Sequence, residues 1–236
     1  MDVIDTVDWG GIPGPSDWYE PDRVATGLRV LAGATNLIQA AEAGSLLGCG
    51  GIVHDHSGAV FPAAAVAAPL LLDIAQQGHP AARDAALGLL EEALSFYPHA
   101  GYRRVATPYG PTVPICCDIA HHLRSRADFL IGQDQGRSLL ADAAEHWRFE
   151  IREGVADDDG TSVFGVLSGR LPLPGDAVHT AELHACGVGA ELVEVAVEYP
   201  PAGVCSEACL RVDGRRPHEL PVGAVVLPAK CGDGLP

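Results

Sequence analysis

Basic residues are scarce in this chain of 236 amino acids. Lys and Arg total 15 against 31 Asp and Glu, which gives a formal net charge of -16. The densest basic clusters are only pairs, at Arg103-Arg104 and Arg215-Arg216. A negatively charged surface repels phosphate backbones and anionic lipid headgroups. The composition therefore argues against nucleic acid and anionic membranes as partners, and it favours a cationic one.

Long apolar runs and a basic leader are also missing. The longest uncharged apolar run, 58–72, contains Pro62 and Pro69 and is shorter than the roughly 20 residues that cross a bilayer. Residues 1–20 contain several Asp and no Lys or Arg, unlike the basic start of a signal peptide. Seven cysteines without a disulfide framework favour free thiols in a reducing compartment. We therefore expect a cytoplasmic protein.

Motifs of nucleotide-dependent enzymes and common hydrolases are absent from the sequence. It has no Gly-Lys-Ser/Thr phosphate loop, no Gly-x-Gly-x-x-Gly after a predicted strand, no Gly-x-Ser-x-Gly and no His-Glu-x-x-His. The glycine-rich stretch 48–51 lacks the Lys that a phosphate-binding loop requires. A turn between helices explains that stretch more simply.

Apolar residues follow the period of amphipathic helices over most of positions 1–147. After an N-terminal loop, the pattern predicts five helices at about 21–44, 62–78, 80–97, 112–131 and 136–147. Pro69 is expected to bend or split the second of these helices. Five helices with short links are typical of hairpins in an α-solenoid, although the sequence shows no strict repeat period.

Alternating apolar residues bounded by turn residues replace the helical period after Trp147. Such segments predict β-strands near 149–151, 163–166, 191–199, 210–212 and 224–227. We therefore predict an α+β protein. It has a HEAT-like helical domain at 1–147 and a smaller β-rich region at 148–236.

The stretch 51–72 combines a His-x-Gly-x-Val-Phe-Pro-Ala motif with an Ala-rich segment that contains a Pro before its Leu-rich end. This stretch resembles the signature of a bacterial, actinomycete-type HEAT-repeat-like family of unassigned function. Ser57 stands where that family usually has Gln. The matching positions are His56, Gly58, Val60, Phe61, Pro62 and Pro69. The resemblance implies a curved helical scaffold that presents a concave surface to a protein partner.

Two His-containing segments supply candidate metal ligands and catalytic groups. His54 and His56 are two residues apart, so in an extended segment both side chains point to the same side. In the predicted fourth helix, Cys117 and His121 are four residues apart and share a face. If the two segments pack together, these four residues could bind one divalent transition metal. The alternative is that His56 stabilises the helical hairpin and Cys117 is an ordinary core residue.

The same segments offer a metal-free acid and base. His56, His121 and Asp118 are the candidate catalytic residues, because imidazole and carboxylate groups transfer protons near neutral pH. Asp118 and His122 are also four residues apart on the predicted helix. The alternative is that His121 and His122 are not catalytic. In a His-His pair on a helix, one member usually lies in solvent, and the other would then have a structural role.

The β-rich region contains further ligand types at unfavourable spacings. A zinc knuckle needs two closely spaced pairs of ligands, and only Cys205 with Cys209 approaches one such pair. Thiols in a reduced core are the simpler interpretation. The residues concerned are His184, Cys186, Cys205, Cys209 and Cys231.

Two functions follow from the sequence. The first is a HEAT-like scaffold that binds a cationic protein partner, of the immunity or adaptor type, as its helical pattern and negative charge indicate. The alternative is a small-molecule enzyme of specialised metabolism that uses the His/Asp/Cys cluster, with or without a divalent metal.

Overall fold

The computed structural model describes residues 2–157, 160–171, 178–199, 205–229 and 231–232 of the chain. These residues form eight α-helices and two short 3-10 helices, at Trp9–Gly11 and Pro217–Glu219. The α-helices are α1 (Asp2–Thr6), α2 (Pro21–Gly33), α3 (Leu37–Gly48), α4 (Ala63–Gln77), α5 (Pro80–Ser95), α6 (Ile115–Ser125), α7 (Ala127–Leu130) and α8 (Asp134–Glu145).

Five short strands interrupt the helices, and six others follow them. The short strands are β1 (Val53–His54), β2 (Ala59–Val60), β3 (Tyr97–Pro98), β4 (Arg104–Thr107) and β5 (Gly110–Pro114). The later strands are β6 (Arg148–Asp157), β7 (Gly160–Ser168), β8 (His179–Ala185), β9 (Val188–Tyr199), β10 (Cys205–Asp213) and β11 (Val225–Pro228).

The helical half is built from two hairpins and a third layer. Helix α2 packs on α3, α4 packs on α5, and α6 contacts α4, α5 and α8. Pro21 and Pro80 stand at the first positions of α2 and α5, where a missing N–H costs no hydrogen bond. Alanine makes up much of the buried surface of α4 and α5, which lets the helices approach closely.

The last six strands close into an antiparallel barrel. Its order is β10-β7-β6-β11-β8-β9, and pairs such as Val212 with Val195 join the two ends of the sheet. Along β7 every second residue is buried, as expected when one face of a strand lines a core. Phe149, Val163 and Leu210 are among the buried apolar side chains that pack inside the barrel.

Strand β11 joins the barrel to the helical half. Val226 packs inside the barrel, whereas its neighbours Val225 and Leu227 belong to the core of the helical half. Since successive side chains of a strand point to opposite faces, one strand serves both cores. Arg104 on β4 and Glu182 on β8 add an ion pair across the same junction, with nitrogen and oxygen 2.7 Å apart.

The prediction of an α-solenoid with a small β-rich tail is wrong. The small sheets β1-β2-β3 and β4-β5 separate the helices, and β6 to β11 form a closed barrel. A solenoid stacks equivalent units against one another, and the absence of a repeat period in this sequence agrees with the observed mixed arrangement. Glycine and proline near 48–62 and 97–114 allow extended backbone between the helices.

Several helix boundaries also differ from the prediction. The first predicted helix is two helices, because Asn36 caps α3 by accepting a hydrogen bond from the Gln39 N–H at 3.0 Å. Residues 112–114, predicted as the start of the fourth helix, belong instead to strand β5. Helix α4 runs without a break through Pro69. None of the helices among the described residues has the length and apolar character that a membrane crossing requires.

Candidate metal centre

Three cysteines and one histidine from three parts of the fold meet at the junction of the two halves. Cys116 and Cys117 lie in the first turn of α6, His146 directly follows α8, and Cys231 follows β11. Their ligand atoms all lie within 4.8 Å of one another. The Sγ atom of Cys231 is 3.0 Å from Cys116 Sγ and 3.0 Å from His146 Nδ1.

The backbone around α6 and α8 holds these side chains in place. Pro114 precedes α6 in an extended conformation, and the Ile115 N–H donates to the Arg103 carbonyl at 3.1 Å. The Arg124 guanidinium donates to the carbonyls of Ala143 and His146, the latter at 2.9 Å. Arg124 therefore fixes the end of α8, and with it His146, against α6.

A glycine allows the C-terminal segment to approach α6. Gly232 has a φ of +73°, which disfavours other residues. A Cβ atom at this position would lie 3.3 Å from Cys116 Sγ and 3.1 Å from Pro98 Cγ. Both the backbone conformation and the limited space therefore favour glycine beside Cys231.

The neighbouring thiols shift the pKa values of Cys116 and Cys117 in opposite directions. Hydrogen bonds from Cys117 and Cys231 hold the pKa of the Cys116 thiol well below its usual value, against the effect of burial. The hydrogen bond to Cys116 raises the pKa of Cys117, and burial adds to this increase. The position of Cys116 in the first turn of α6 also favours a thiolate, because the helix dipole is positive at this end.

The donor set fits a divalent transition metal. Three sulfurs and one imidazole nitrogen form a Cys₃His set, which is typical of tetrahedral zinc sites. With Zn–S bonds of about 2.3 Å, two sulfurs of such a tetrahedron lie about 3.8 Å apart. The 3.0 Å contact of Cys116 with Cys231 would therefore open by about 0.8 Å around a metal.

Of the predicted metal ligands, Cys117 lies in this cluster, but His54 and His56 do not. The His54 ring stacks on Trp18 with ring centroids 5.0 Å apart, and its Nδ1 is 2.8 Å from Ser57 Oγ. His56 is exposed, with its ring 6.4 Å from that of His54. Among the described residues, the group of ligand atoms that contains Cys117 includes neither histidine.

Asp118 and His121 lie in a separate polar group on α6. Asp118 is buried and accepts a hydrogen bond from the Tyr109 hydroxyl at 2.8 Å, while His122 Nε2 lies 3.7 Å from its carboxylate. The His121 ring packs edge-on against Tyr109, 6.1 Å away. Burial, with the nearby charge of Arg148, lowers the pKa of His121 to about 4. His121 is therefore neutral at physiological pH.

The candidate ligands of the β-rich region are dispersed, except for Cys231. Cys209 donates to Glu198 at 3.2 Å, and burial raises the pKa of this thiol to about 12. Cys186 is exposed, and His184 contacts Glu182 inside the protein. The side chain of Cys205 lies outside the described residues.

Cys116 was not among the metal ligands predicted from the sequence, and neither was His146. His146 stands far along the chain from both Cys117 and Cys231, and no motif surrounds it. Comparison of the chain with models of known families, with curated proteins and with solved structures finds no match. Among the described residues, the Cys/His cluster is a group that could hold a metal ion.

Proposed function

We propose that this protein binds one divalent transition metal, preferably zinc, through Cys116, Cys117, His146 and Cys231. The observation that supports the proposal is the convergence of three thiol sulfurs and one imidazole nitrogen within 4.8 Å at one partly buried point. Zinc prefers sulfur and imidazole ligands over oxygen. The bound metal would join α6, the end of α8 and the segment after β11.

The donor number favours a structural metal over a catalytic one. Catalytic zinc sites keep one coordination position for water or substrate, whereas four protein ligands fill a tetrahedral site. Cys116 and Cys117 are buried, and Cys231 and His146 are half-buried. The metal would stabilise the junction between the helical half and the barrel, as structural zinc does in small domains.

A disulfide is the competing chemistry for the same sulfurs. Cys116 and Cys231 are the closest pair, at 3.0 Å, and a bond between them would shorten this distance to about 2.05 Å. Such a bond would remove two ligands and leave Cys117 and His146 without a metal. If the thiols are free, the protein should contain a metal. If Cys116 and Cys231 form a disulfide, it should not.

Elemental analysis of untagged protein purified under reducing conditions tests the proposal. We expect about one zinc ion per chain, and Co²⁺ exchanged into the site should give the intense visible absorption of tetrahedral thiolate coordination. Cys117→Ser and His146→Ala should lower the metal content, while Cys186→Ser, which changes an exposed thiol, should not. Less than about a tenth of an equivalent of any transition metal would refute the proposal.

A further inference from the structure

A second feature, separate from the Cys/His cluster, is a groove between α3 and α5. It encloses about 490 Å³ and ends near Cys49 and Asp55. Small residues line most of it, including Gly44 of α3 and Gly88 of α5, and Leu37 lies at its rim with 75% of its surface exposed. The groove shares none of its lining residues with the Cys/His cluster.

Internal packing does not explain the two glycines. A Cβ atom at Gly44 would meet nothing within 4 Å, and one at Gly88 would meet only Gln135 Nε2, at 3.9 Å. Each glycine inside a helix costs about 1 kcal/mol of stability relative to alanine. The described part of the chain thus gives no steric reason for either glycine, and both keep the groove open.

Carboxylates line the same groove. Asp55, Asp84 and Glu92 are among its lining residues. Burial raises the pKa of Glu92, and the negative charges of Asp55 and Glu91 raise it further. The ion pairs formed among the described residues involve none of the three lining carboxylates. A cation from outside the chain would relieve this repulsion.

We propose that the groove binds an α-helical segment of a protein partner that carries Lys or Arg side chains. A helix suits this site because both walls are helices, whose backbone hydrogen bonds are already made, so an extended strand would find no sheet edge to join. Small side chains on the walls let a third helix approach closely, and Leu37 offers an apolar contact. The carboxylates and the net charge of -16 complement a basic helix.

Fluorescence anisotropy with a labelled basic helix tests this proposal on the full-length protein. The probe is a peptide of about 16 residues made of Ala, Leu and Lys, which matches the length of α5. Gly44→Leu and Gly88→Leu would fill the groove, and each should weaken binding by about tenfold or more. Gly33→Leu is the matched control, since Gly33 is exposed, meets nothing at its Cβ position and lies outside the groove.

The contribution of the carboxylates is tested separately, by measuring peptide binding at about 0.05 M and about 0.3 M NaCl. The double variant Asp84→Asn and Glu92→Gln should weaken binding and reduce its salt dependence. The double variant Asp128→Asn and Asp142→Asn, which removes the same charge outside the groove, should have a much smaller effect. No binding of the peptide, or equal binding by the groove and control variants, would overturn the proposal. Circular dichroism confirms that each variant is folded.

Discussion

At the scale of single residues, Gly44 and Gly88 allow a test of stability without reference to any ligand. Gly44→Ala should raise the free energy of unfolding by about 0.5–1 kcal/mol, because alanine favours the helix and its Cβ meets no other atom. Gly136→Ala in α8 should have the opposite effect, since its Cβ would lie 2.3 Å from the Leu130 carbonyl oxygen. Urea unfolding measures both. A loss of stability in Gly44→Ala would show that other atoms pack against this position in the folded protein.

His121 should make the protein sensitive to mild acid. Its pKa is lowered to about 4, whereas an unfolded histidine has a pKa of about 6.5. The unfolded chain therefore binds an additional proton as the pH falls from about 6.5 to 4, and stability decreases over that range. His121→Gln should reduce this decrease. Urea midpoints measured in parallel for both proteins provide the test, and identical pH profiles would contradict the assignment.

Spacing along the sequence identified Cys117 as a candidate metal ligand, but it did not identify the residues that surround Cys117. Cys117 was a predicted metal ligand because its helix also carries histidines at neighbouring positions. The prediction paired it with His54, His56 and His121, since residues on one helical face or in one motif were the only neighbours that spacing could identify. The structure instead places Cys116, His146 and Cys231 around it. Long-range packing sets these contacts, and spacing does not encode them.

At the scale of elements, the ion pair of Arg104 with Glu182 connects β4 to the barrel. Burial alone would raise the pKa of Glu182, but hydrogen bonds from Arg104 and His184 outweigh this effect and lower it to about 2. A carboxylate whose pKa is lowered in the folded state stabilises that state at pH values above its usual pKa of 4.5. This stabilisation is lost as the pH falls toward 2.

Glu182→Gln should therefore reduce the free energy of unfolding by about 3 kcal/mol at pH 7. The difference from the native protein should shrink below pH 4.5, where the native carboxylate begins to lose its advantage over the unfolded state. Glu145→Gln is the control, because its ion pair with Arg170 is exposed and contributes about 0.5 kcal/mol or less. A similar loss for both variants would mean that the junction does not depend on the Glu182 pair.

Helix starts and strands were the most predictable elements. Proline at positions 21 and 80 marks the beginning of α2 and α5, and apolar alternation marks the strands around 149–151 and 191–199. The division of the first predicted helix was missed because the apolar period continues through Thr35 to Ile38, across the cap that Asn36 makes. Strand β5 was missed because it leads directly into α6.

At the scale of the whole molecule, barrel closure was the least predictable feature. Strand β11 inserts between β6 and β8, and β10 pairs with both β7 and β9. Alternation of apolar residues predicts that a segment is a strand, but it does not identify the partner strand when the two lie far apart in sequence. Helical periodicity likewise predicts a helix without identifying the element that it packs against. The helices predicted to stack as solenoid repeats therefore pack here together with strands around a shared core.

The proposed metal should contribute to the stability of the whole protein because it joins three distant segments. Removing it with a chelator under reducing conditions should lower the thermal midpoint, by the equivalent of about 4 kcal/mol at a thousandfold excess of free metal over Kd. Cys231→Ser should already lack most of this stabilisation and respond little to chelation. An unchanged midpoint after complete removal of metal would rule out a structural role.

Native mass spectrometry of the untagged, reduced protein is the most direct test of whether the Cys/His cluster holds a metal. The folded chain should carry the mass of one divalent transition metal, and acid unfolding should release the metal and leave all seven cysteines reduced. Cys231→Ser and His146→Ala should show little or no metal mass. A metal-free folded chain that lacks two hydrogen atoms, as a disulfide between Cys116 and Cys231 would produce, would show that these thiols do not bind a metal.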